Sequence, residues 1–481
     1  MSLTLADVYE GLGGRKATPA LAAVPLGRFV IDSRQVAAGD VFVALPGTRH
    51  DGHDFIPAAL AAGARGVLAH RLPADPGGLT VVRPQTDPAP TAVPGPVLFL
   101  VPDSLTALQE LAAYWRRRHT PTVVGITGSV GKTSTKELTA AVLRQRFPTL
   151  WSEGNLNNEI GLPLSLLRLE AHHRFAVLEM GFYVEGEIAQ LCRWAQPHIG
   201  VVTNIGPIHL ERAGSMEAIF RGKSELVQAL PADGYAVLNW DDDWVRQMAP
   251  LTRAAIFRYG LGPEADLWAD EIHSEGLEGI RFRFHRRLPT GKEEVLHVHL
   301  PLLGRHAVHT ALRAAAVGLI AGLAWEDIIA GLRDVNAQVR IEIVPGPRGS
   351  TLIDDTYNAS PPSTIAALNL LADLQGRRIA VLGDMLELGS YAETGHRLVG
   401  GRAAAVVDEL VTVGTLARWI ADEAARLGLP AARIHPVADA DAAFAVLQEL
   451  IAPGDFVLIK GSRALGLEHL VQRLSLFVTG N

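Results

Sequence analysis

Gly125-Ile126-Thr127-Gly128-Ser129-Val130-Gly131-Lys132-Thr133-Ser134 is the stretch whose reading decides the fold. An apolar run, residues 121–124, precedes it, and a helix-like segment, residues 136–144, follows. Strand, glycine loop and helix in that order hold nucleotide phosphates. Backbone N–H groups and the helix N-terminus attract the anion, Lys132 supplies positive charge, and Thr133 can reach Mg²⁺. The generic loop carries a glycine five residues before its second one, and that position here is Ile126. The spacing is instead Gly128-x-x-Gly131-Lys132-Thr133, with Thr127 in front. This variant narrows the reading to a particular kind of ATP user.

Working outward, 481 residues exceed what one core usually organises, so two to four domains are expected. Apolar residues make up 48% and charged residues 20%, as in ordinary soluble globular proteins. A net charge of −7 gives no sign of a nucleic-acid partner. The largest basic cluster, Arg116-Arg117-Arg118, reads as a solvated helix end. The single cysteine, Cys192, excludes an intrachain disulfide and fits a reducing compartment; its apolar neighbours suggest a packed thiol. The first ten residues carry acids and no apolar core, so no signal peptide is expected. No apolar run approaches roughly 18 residues, so no membrane span is expected either. A cytoplasmic protein follows.

Three blocks emerge, 1–118, 119–338 and 339–481. In the first, residues 28–31 and 40–45 read as strands, 55–62 as a helix ended by Gly63, and 105–117 as another helix. Residues 72–102 are proline-rich with little periodicity and read as an extended surface insertion. The second block adds buried-type strands at 175–178, 200–203 and 235–238, with helical segments between them, the pattern of a parallel α/β sheet. Alternation at 280–284 and 295–300 suggests an antiparallel extension, and alanine-rich 305–323 a helix. The third block interleaves strands at 351–353, 378–382, 410–413 and 456–459 with helices, a sheet of Rossmann-like size without a G-x-G-x-x-G fingerprint.

Polar residues at strand ends are the chemical candidates, because ligands of open parallel sheets bind there. Glu179 follows one strand and His209 lies beyond another, so Thr133, Glu179 and His209 can converge. Mg²⁺ prefers oxygen ligands, which suits Thr133 and Glu179; His209 is a less usual ligand. Taken singly, a histidine such as His209 is more often a hydrogen-bonding loop residue than a ligand, and Glu179 alone can be a helix-capping acid. Residues 155–163, Asn-Leu-Asn-Asn-Glu-Ile-Gly-Leu-Pro, are either a turn with an N-cap or a binding segment. Lys223 alone would be a surface lysine. Asp354 and Asp355 either form a turn or orient an amine or lysine near the phosphates, and Lys460-Gly461-Ser462-Arg463 holds an anion or caps the next helix.

As a set these residues resemble the Mur ligase family, over nearly the whole chain. The resemblance covers Asp32-Ser33-Arg34, residues 39–45 and 51–56, the phosphate loop, 155–163, Glu179-Met180-Gly181, Ile208-His209-Leu210-Glu211, 354–361, 382–389 with His396-Arg397, and 457–463. Residues 354–361 and 382–389 look like the branch that adds a dipeptide. The Asp-Asn-Pro-Arg tetrapeptide of ligases adding an earlier amino acid is absent from the sequence.

The resemblance implies three α/β domains: an N-terminal domain for a UDP-sugar, a P-loop central domain for ATP, and a Rossmann-like C-terminal domain for the incoming dipeptide. It implies that ATP phosphorylates the terminal carboxylate of a UDP-MurNAc-tripeptide and that D-alanyl-D-alanine attacks the acyl phosphate, in peptidoglycan precursor synthesis. Both substrates are small molecules, and a monomer is expected. By the same resemblance, Thr127 to Ser134, including Gly128, Ser129, Val130 and Gly131, bind ATP together with Arg340, Asp355 and Asn358. Ser33, Arg34, Asn155 and Asn158 serve the UDP-sugar. Thr133 and Glu179 hold one Mg²⁺; His209 and a carbamylated Lys223 help hold a second. Lys132, Lys223, His209 and Glu179 form the catalytic set. Asp384, Glu387, Lys460 and Ser462 are candidates for the dipeptide side.

Two places depart from the family pattern. Residues 304–312 align with a segment that usually has asparagine where Ala307 and Thr310 stand, on the adenine side, and the hinge reads Val339-Arg340 where glycine-arginine is common. Two other readings stay open: an amide ligase of the superfamily that acts on another precursor or adds the third residue, and an ATP-binding scaffold without turnover.

Overall fold

The computed structural model describes residues 3–13, 15–334 and 341–476. The chain divides into two compact units. One holds the chain up to Gly125 with Phe147–Phe182 and Gly186–Ile199; the other holds Ile126–Arg146, Tyr183–Glu185 and the chain from Gly200 onward.

In the first unit, β1 (Phe29–Val30), β2 (Val41–Val43), β3 (Gly66–Ala69), β4 (Thr80–Val82) and β5 (Val97–Leu100) form a parallel sheet in the order β1-β2-β3-β5-β4. Val97, Leu98 and Phe99 are fully buried in it. The expected surface insertion at 72–102 is therefore corrected: it supplies two strands, one of them between β3 and β4. Both are too short, at four residues or fewer, for alternation to stand out among the prolines. The helix Ser104–Arg117 is capped by Asp103, which accepts from the Thr106 amide at 2.6 Å. Its end is only partly solvated. Arg116 is buried and donates to the carbonyls of Ala195 and His119, so the reading of the Arg triplet is corrected at that residue.

The next strands are β6 (Thr122–Thr127), β7 (Thr149–Trp151), β8 (Phe175–Glu179) and β9 (Ile199–Val202). The unit boundary falls within β6 and beside the start of β9. In the first unit the order is β6-β8-β7, and β8 is buried throughout. The second unit continues with β10 (Tyr235–Asn239), β11 (Ala255–Gly260), β12 (Leu267–Ser274), β13 (Ile280–Arg287) and β14 (Glu293–Leu300), in the order β9-β10-β11-β12-β13-β14. β10 to β12 pair in parallel, whereas β12, β13 and β14 pair antiparallel, with Phe284 opposite Leu296. This is the expected antiparallel extension, joined by two strands, β11 and β12, beyond those expected.

A second sheet of this unit comprises β15 (Glu342–Pro345), β16 (Thr351–Asp354), β17 (Arg378–Gly383), β18 (Glu409–Val413), β19 (Ile434–Val437) and β20 (Phe456–Lys460), in the order β15-β16-β20-β17-β18-β19. All but β15 run parallel. Apolar clusters cover both faces, one around Leu368, Leu382 and Val399, the other around Val381, Leu447 and Leu470, as a parallel sheet requires. The carboxyl ends of β16 and β20 carry Asp355 and Lys460 toward the site.

Candidate nucleotide site

The phosphate loop is built mainly from backbone. β6 delivers Thr127, and the helix Lys132–Arg144 starts at once, with Gly131 as its N-cap at φ +85°. Gly128 has φ +140°, and a Cβ there would lie 1.8 Å from Thr203 Oγ1, so only glycine fits. The loop is then pinned from the side. Ser129 Oγ donates to the Gly206 carbonyl and accepts from the Gly206 amide at 2.8 Å. Asn204 accepts from the Val130 amide at 2.9 Å, and Thr203 Oγ1 donates to the Val130 carbonyl at 2.7 Å. Lys132 Nζ donates to the Gly128 carbonyl at 2.8 Å and to the Ser129 carbonyl. Lys223, in the helix Met216–Gln228, is buried and reaches the same Gly128 carbonyl at 3.1 Å. It is not the surface lysine its sequence suggests on its own.

Beside the loop lies a cavity of about 310 Å³. Gly131, Ser134 and Leu138 form one wall; Ala307, Thr310 and Arg313, from the helix Ala307–Ile320, form another. The departures at Ala307 and Thr310 thus line this cavity, whereas the hinge pair Val339-Arg340 lies outside the described residues. Leu302, Ile341 and Ala367 add apolar surface, the composition of a small-molecule site. His306 opens into the cavity. The surrounding protein, then the charges of Lys460 and Arg313, hold its ring below the ordinary histidine range and therefore neutral at pH 7. Tyr259 behind the wall is fully buried, which pushes its hydroxyl up to about 12.

Asp355 and Lys460 also line the cavity and form a buried ion pair at 2.6 Å. Lys460 further donates to the Asn358 carbonyl at 2.8 Å, while the Asn358 side chain accepts from the Ala359 amide. The two acids 354 and 355 separate in role. Asp354 accepts from the Thr356 amide as a turn former, and Asp355 orients a lysine. His209 has φ +58° and sits at the head of the short helix Leu210–Ala213. Its Nδ1 lies 2.5 Å from Glu387 Oε2, and burial keeps the ring below its ordinary value despite that carboxylate. Asp384 receives the amides of Ala417 and Thr415, and Ser462 Oγ accepts from the Leu386 amide, so both brace the 382–389 loop and its surroundings.

Ser33, Arg34, Asn155, Asn158 and Glu179 belong to the first unit. Arg34 is exposed and paired with Asp32; Asn158 accepts from the Gly161 amide at the start of the helix Gly161–Leu166. The amide that reaches Glu179 is Asn157, which donates to Oε1 at 2.8 Å. Glu179 Oε2 is buried without a hydrogen-bond partner among the described residues. A buried carboxylate oxygen left this way fits a cation ligand. Thr133, in the second unit, is also buried. Among the described residues, no group of three or more His, Cys, Asp or Glu could hold a metal ion. Arg340 lies outside the described residues.

Sequence reading missed Asn157, whose neighbours Asn155 and Asn158 looked equivalent, and Arg313. The signal for Arg313 was present: one cation in an alanine-rich helix, one turn beyond Thr310. Cys192 is a packed thiol against Met180, as expected.

Family models match in three consecutive stretches: the Mur ligase family catalytic domain over residues 29–116, the Mur ligase middle domain over 126–318, and the Mur ligase glutamate ligase domain over 339–463. The chain belongs to the Mur ligase family. This Mur ligase is 36% identical, over 98% of each chain, to the UDP-N-acetylmuramoyl-tripeptide–D-alanyl-D-alanine ligase of Escherichia coli (strain K12). It is 34% identical, again over 98% of each, to the ligase of the same name from Bacillus subtilis (strain 168). The crystal structure of MurF from Acinetobacter baumannii superposes with a TM-score of 0.82 at 30% identity, covering 99% of both chains. MurF ligase from Thermotoga maritima in complex with ADP gives 0.75 at 30% identity, covering 94% of this chain and 98% of that one. The fold of this Mur ligase is thus the three-domain α/β architecture expected from sequence.

Proposed function

We propose that this Mur ligase joins D-alanyl-D-alanine to UDP-N-acetylmuramoyl-tripeptide at the expense of ATP, as a monomer in the cytoplasm, during peptidoglycan precursor synthesis. The observation that carries the reading is the phosphate loop opening onto a cavity shared with Asp355 and Lys460. End-to-end similarity to ligases of that name supports the substrate pair. The single cysteine supports a reducing compartment, and no helix among the described residues is long and apolar enough to cross a membrane.

The domain assignments follow: 1–118 for the UDP-sugar, with Ser33 and Arg34 and with Asn155 and Asn158 contributed by the central stretch; 119–338 for ATP; 339–481 for the dipeptide. A carboxylate oxygen of the tripeptide attacks the γ-phosphorus, and ADP leaves. The amine of D-alanyl-D-alanine then attacks the acyl carbon. The C–N bond forms, the C–O bond breaks, phosphate departs and the amine loses a proton. The first step brings anions together, so catalysis is chiefly positioning and charge stabilisation. Loop amides from Thr127 to Ser134 cradle phosphates, Lys132 turns toward them from the Gly128 carbonyl, and Arg340, Asp355 and Asn358 complete the nucleotide contacts. Thr133 and Glu179 would hold Mg²⁺, with His209 and carbamylated Lys223 at a second ion; bound there, the metal offsets phosphate charge. Closing the site against water protects the acyl phosphate.

The test is phosphate release across a substrate panel. Release is expected only with ATP, UDP-N-acetylmuramoyl-tripeptide and D-alanyl-D-alanine together. Release with a single free amino acid replacing the dipeptide would overturn the assignment, and tight ATP binding without any release would favour a scaffold.

A further inference from the structure

Arg313 is the cation of the cavity wall that the scheme above leaves unused. It is 3% exposed and lines the cavity beside Gly131, where its Nη2 lies 3.1 Å from the position a Gly131 Cβ would take. The other charged pair of the lining, Asp355 with Lys460, is mutually satisfied at 2.6 Å. Among the described residues, Arg313 forms no ion pair with a carboxylate. Its Nη2 donates to Thr310 Oγ1 at 2.8 Å and its Nη1 to the Tyr259 hydroxyl at 3.4 Å, while Nε is buried with no hydrogen-bond partner among the described residues. A guanidinium presents five N–H donors in a rigid plane and accepts nothing. Leaving donors of a buried cation unmatched is costly, so the site is built for an occupant that brings acceptors.

The apolar lining and the adjoining phosphate loop place a nucleotide base in this cavity on the reading above, on which this inference rests. Bases differ in what they offer. The polar edge of adenine pairs an acceptor at N7 with an amino donor, which an amide side chain matches; a 6-oxo purine offers two acceptors, O6 and N7, which a guanidinium matches. Arg313 and its Thr310 partner therefore provide donors on a helix where Ala307 and Thr310 stand in place of asparagines, while the two amides that do line the cavity, Asn204 and Asn239, are engaged by the backbone of Val130 and of Thr203 and Asp241.

We propose that Arg313 reads the base edge and that this Mur ligase accepts 6-oxo purine triphosphates alongside ATP. The experiment measures kcat/KM for ATP and for inosine triphosphate in the wild-type enzyme and in Arg313→Met, which keeps length and loses every donor. The wild type is expected to use inosine triphosphate within about tenfold of ATP, and Arg313→Met to lower the inosine-to-adenosine ratio at least fivefold, mainly through KM. A thermal melt checks the fold. If Arg313→Met does not fold, Arg313→Lys, which keeps charge without the planar fork, is expected to lower the ratio in the same way. A wild-type preference for ATP above tenfold, or a ratio that shifts less than fivefold in the folded variant, overturns the inference. Phosphate release with neither nucleotide would instead sink the function proposed above.

Discussion

The phosphate loop and the cavity wall that faces it are built on opposite principles. The loop offers backbone: Gly128 and Gly131 adopt positive-φ conformations that other residues rarely take, and Ser129, Thr203 and Asn204 fix the chain around them. The wall offers side chains: Thr310 and Arg313 project from one helix, and His306 is its N-cap. Amide donors aimed at phosphate cannot be exchanged residue by residue, because they belong to the main chain. Side-chain donors can. That contrast explains why Ala307 and Thr310, which depart from the family pattern, fall on the wall and leave the loop intact.

The comparison breaks most sharply at Lys132. Lys132→Ala is expected to lower turnover about a thousandfold with the melting temperature nearly unchanged, as removal of a charge that acts on the transition state should. Normal turnover would remove the loop from the chemistry. Next comes the buried pair at the C-terminal side of the cavity. Lys460→Met alone is expected to cost about 3 kcal/mol of stability by stranding Asp355, and Lys460→Met with Asp355→Leu to cost less than either single change. Chemical denaturation reads both; additive losses would show that the pair is not coupled. Gly128→Ala follows, at about 2 kcal/mol, since its Cβ meets Thr203 and its φ is unfavourable. A variant as stable as the wild type would mean the loop is less constrained than its geometry implies.

The smallest effect lies apart from both regions, at His396. Its Nδ1 donates to the Ala392 carbonyl at 2.6 Å and its Nε2 accepts from the Met385 amide at 3.0 Å, so the buried ring is neutral. Burial keeps its titration below the ordinary value near 6.5. The unfolded chain therefore takes the proton first. Stability is full above about pH 6.5 and falls as pH drops from there toward the lower folded-state value. His396→Gln is expected to flatten the slope of stability between about pH 6.5 and 5. An unchanged slope would assign the acid sensitivity to other groups.

How much of this was legible follows from where each constraint resides. The loop could be read because its spacing is local, and the strands at 175–178 and 378–382 because buried parallel strands are continuous apolar runs. The strands inside 72–102 could not, because their pairing with β3 is set by tertiary contact and their length is below any period. The choice of Asn157 over Asn155 and Asn158 depends on which amide faces the end of β8. The burial of Arg116 and Lys223 depends on carbonyls distant in sequence, those of Ala195 and Gly128. Arg313 was visible as an oddity in its helix, but its meaning required the cavity.

The central claim is that the carboxylate is activated as an acyl phosphate. It is tested most directly with tripeptide substrate labelled with ¹⁸O in its terminal carboxylate. The account predicts that one labelled oxygen appears in the released phosphate, with ADP as the other product. Label found in AMP, or phosphate released without label while amide forms, would contradict it.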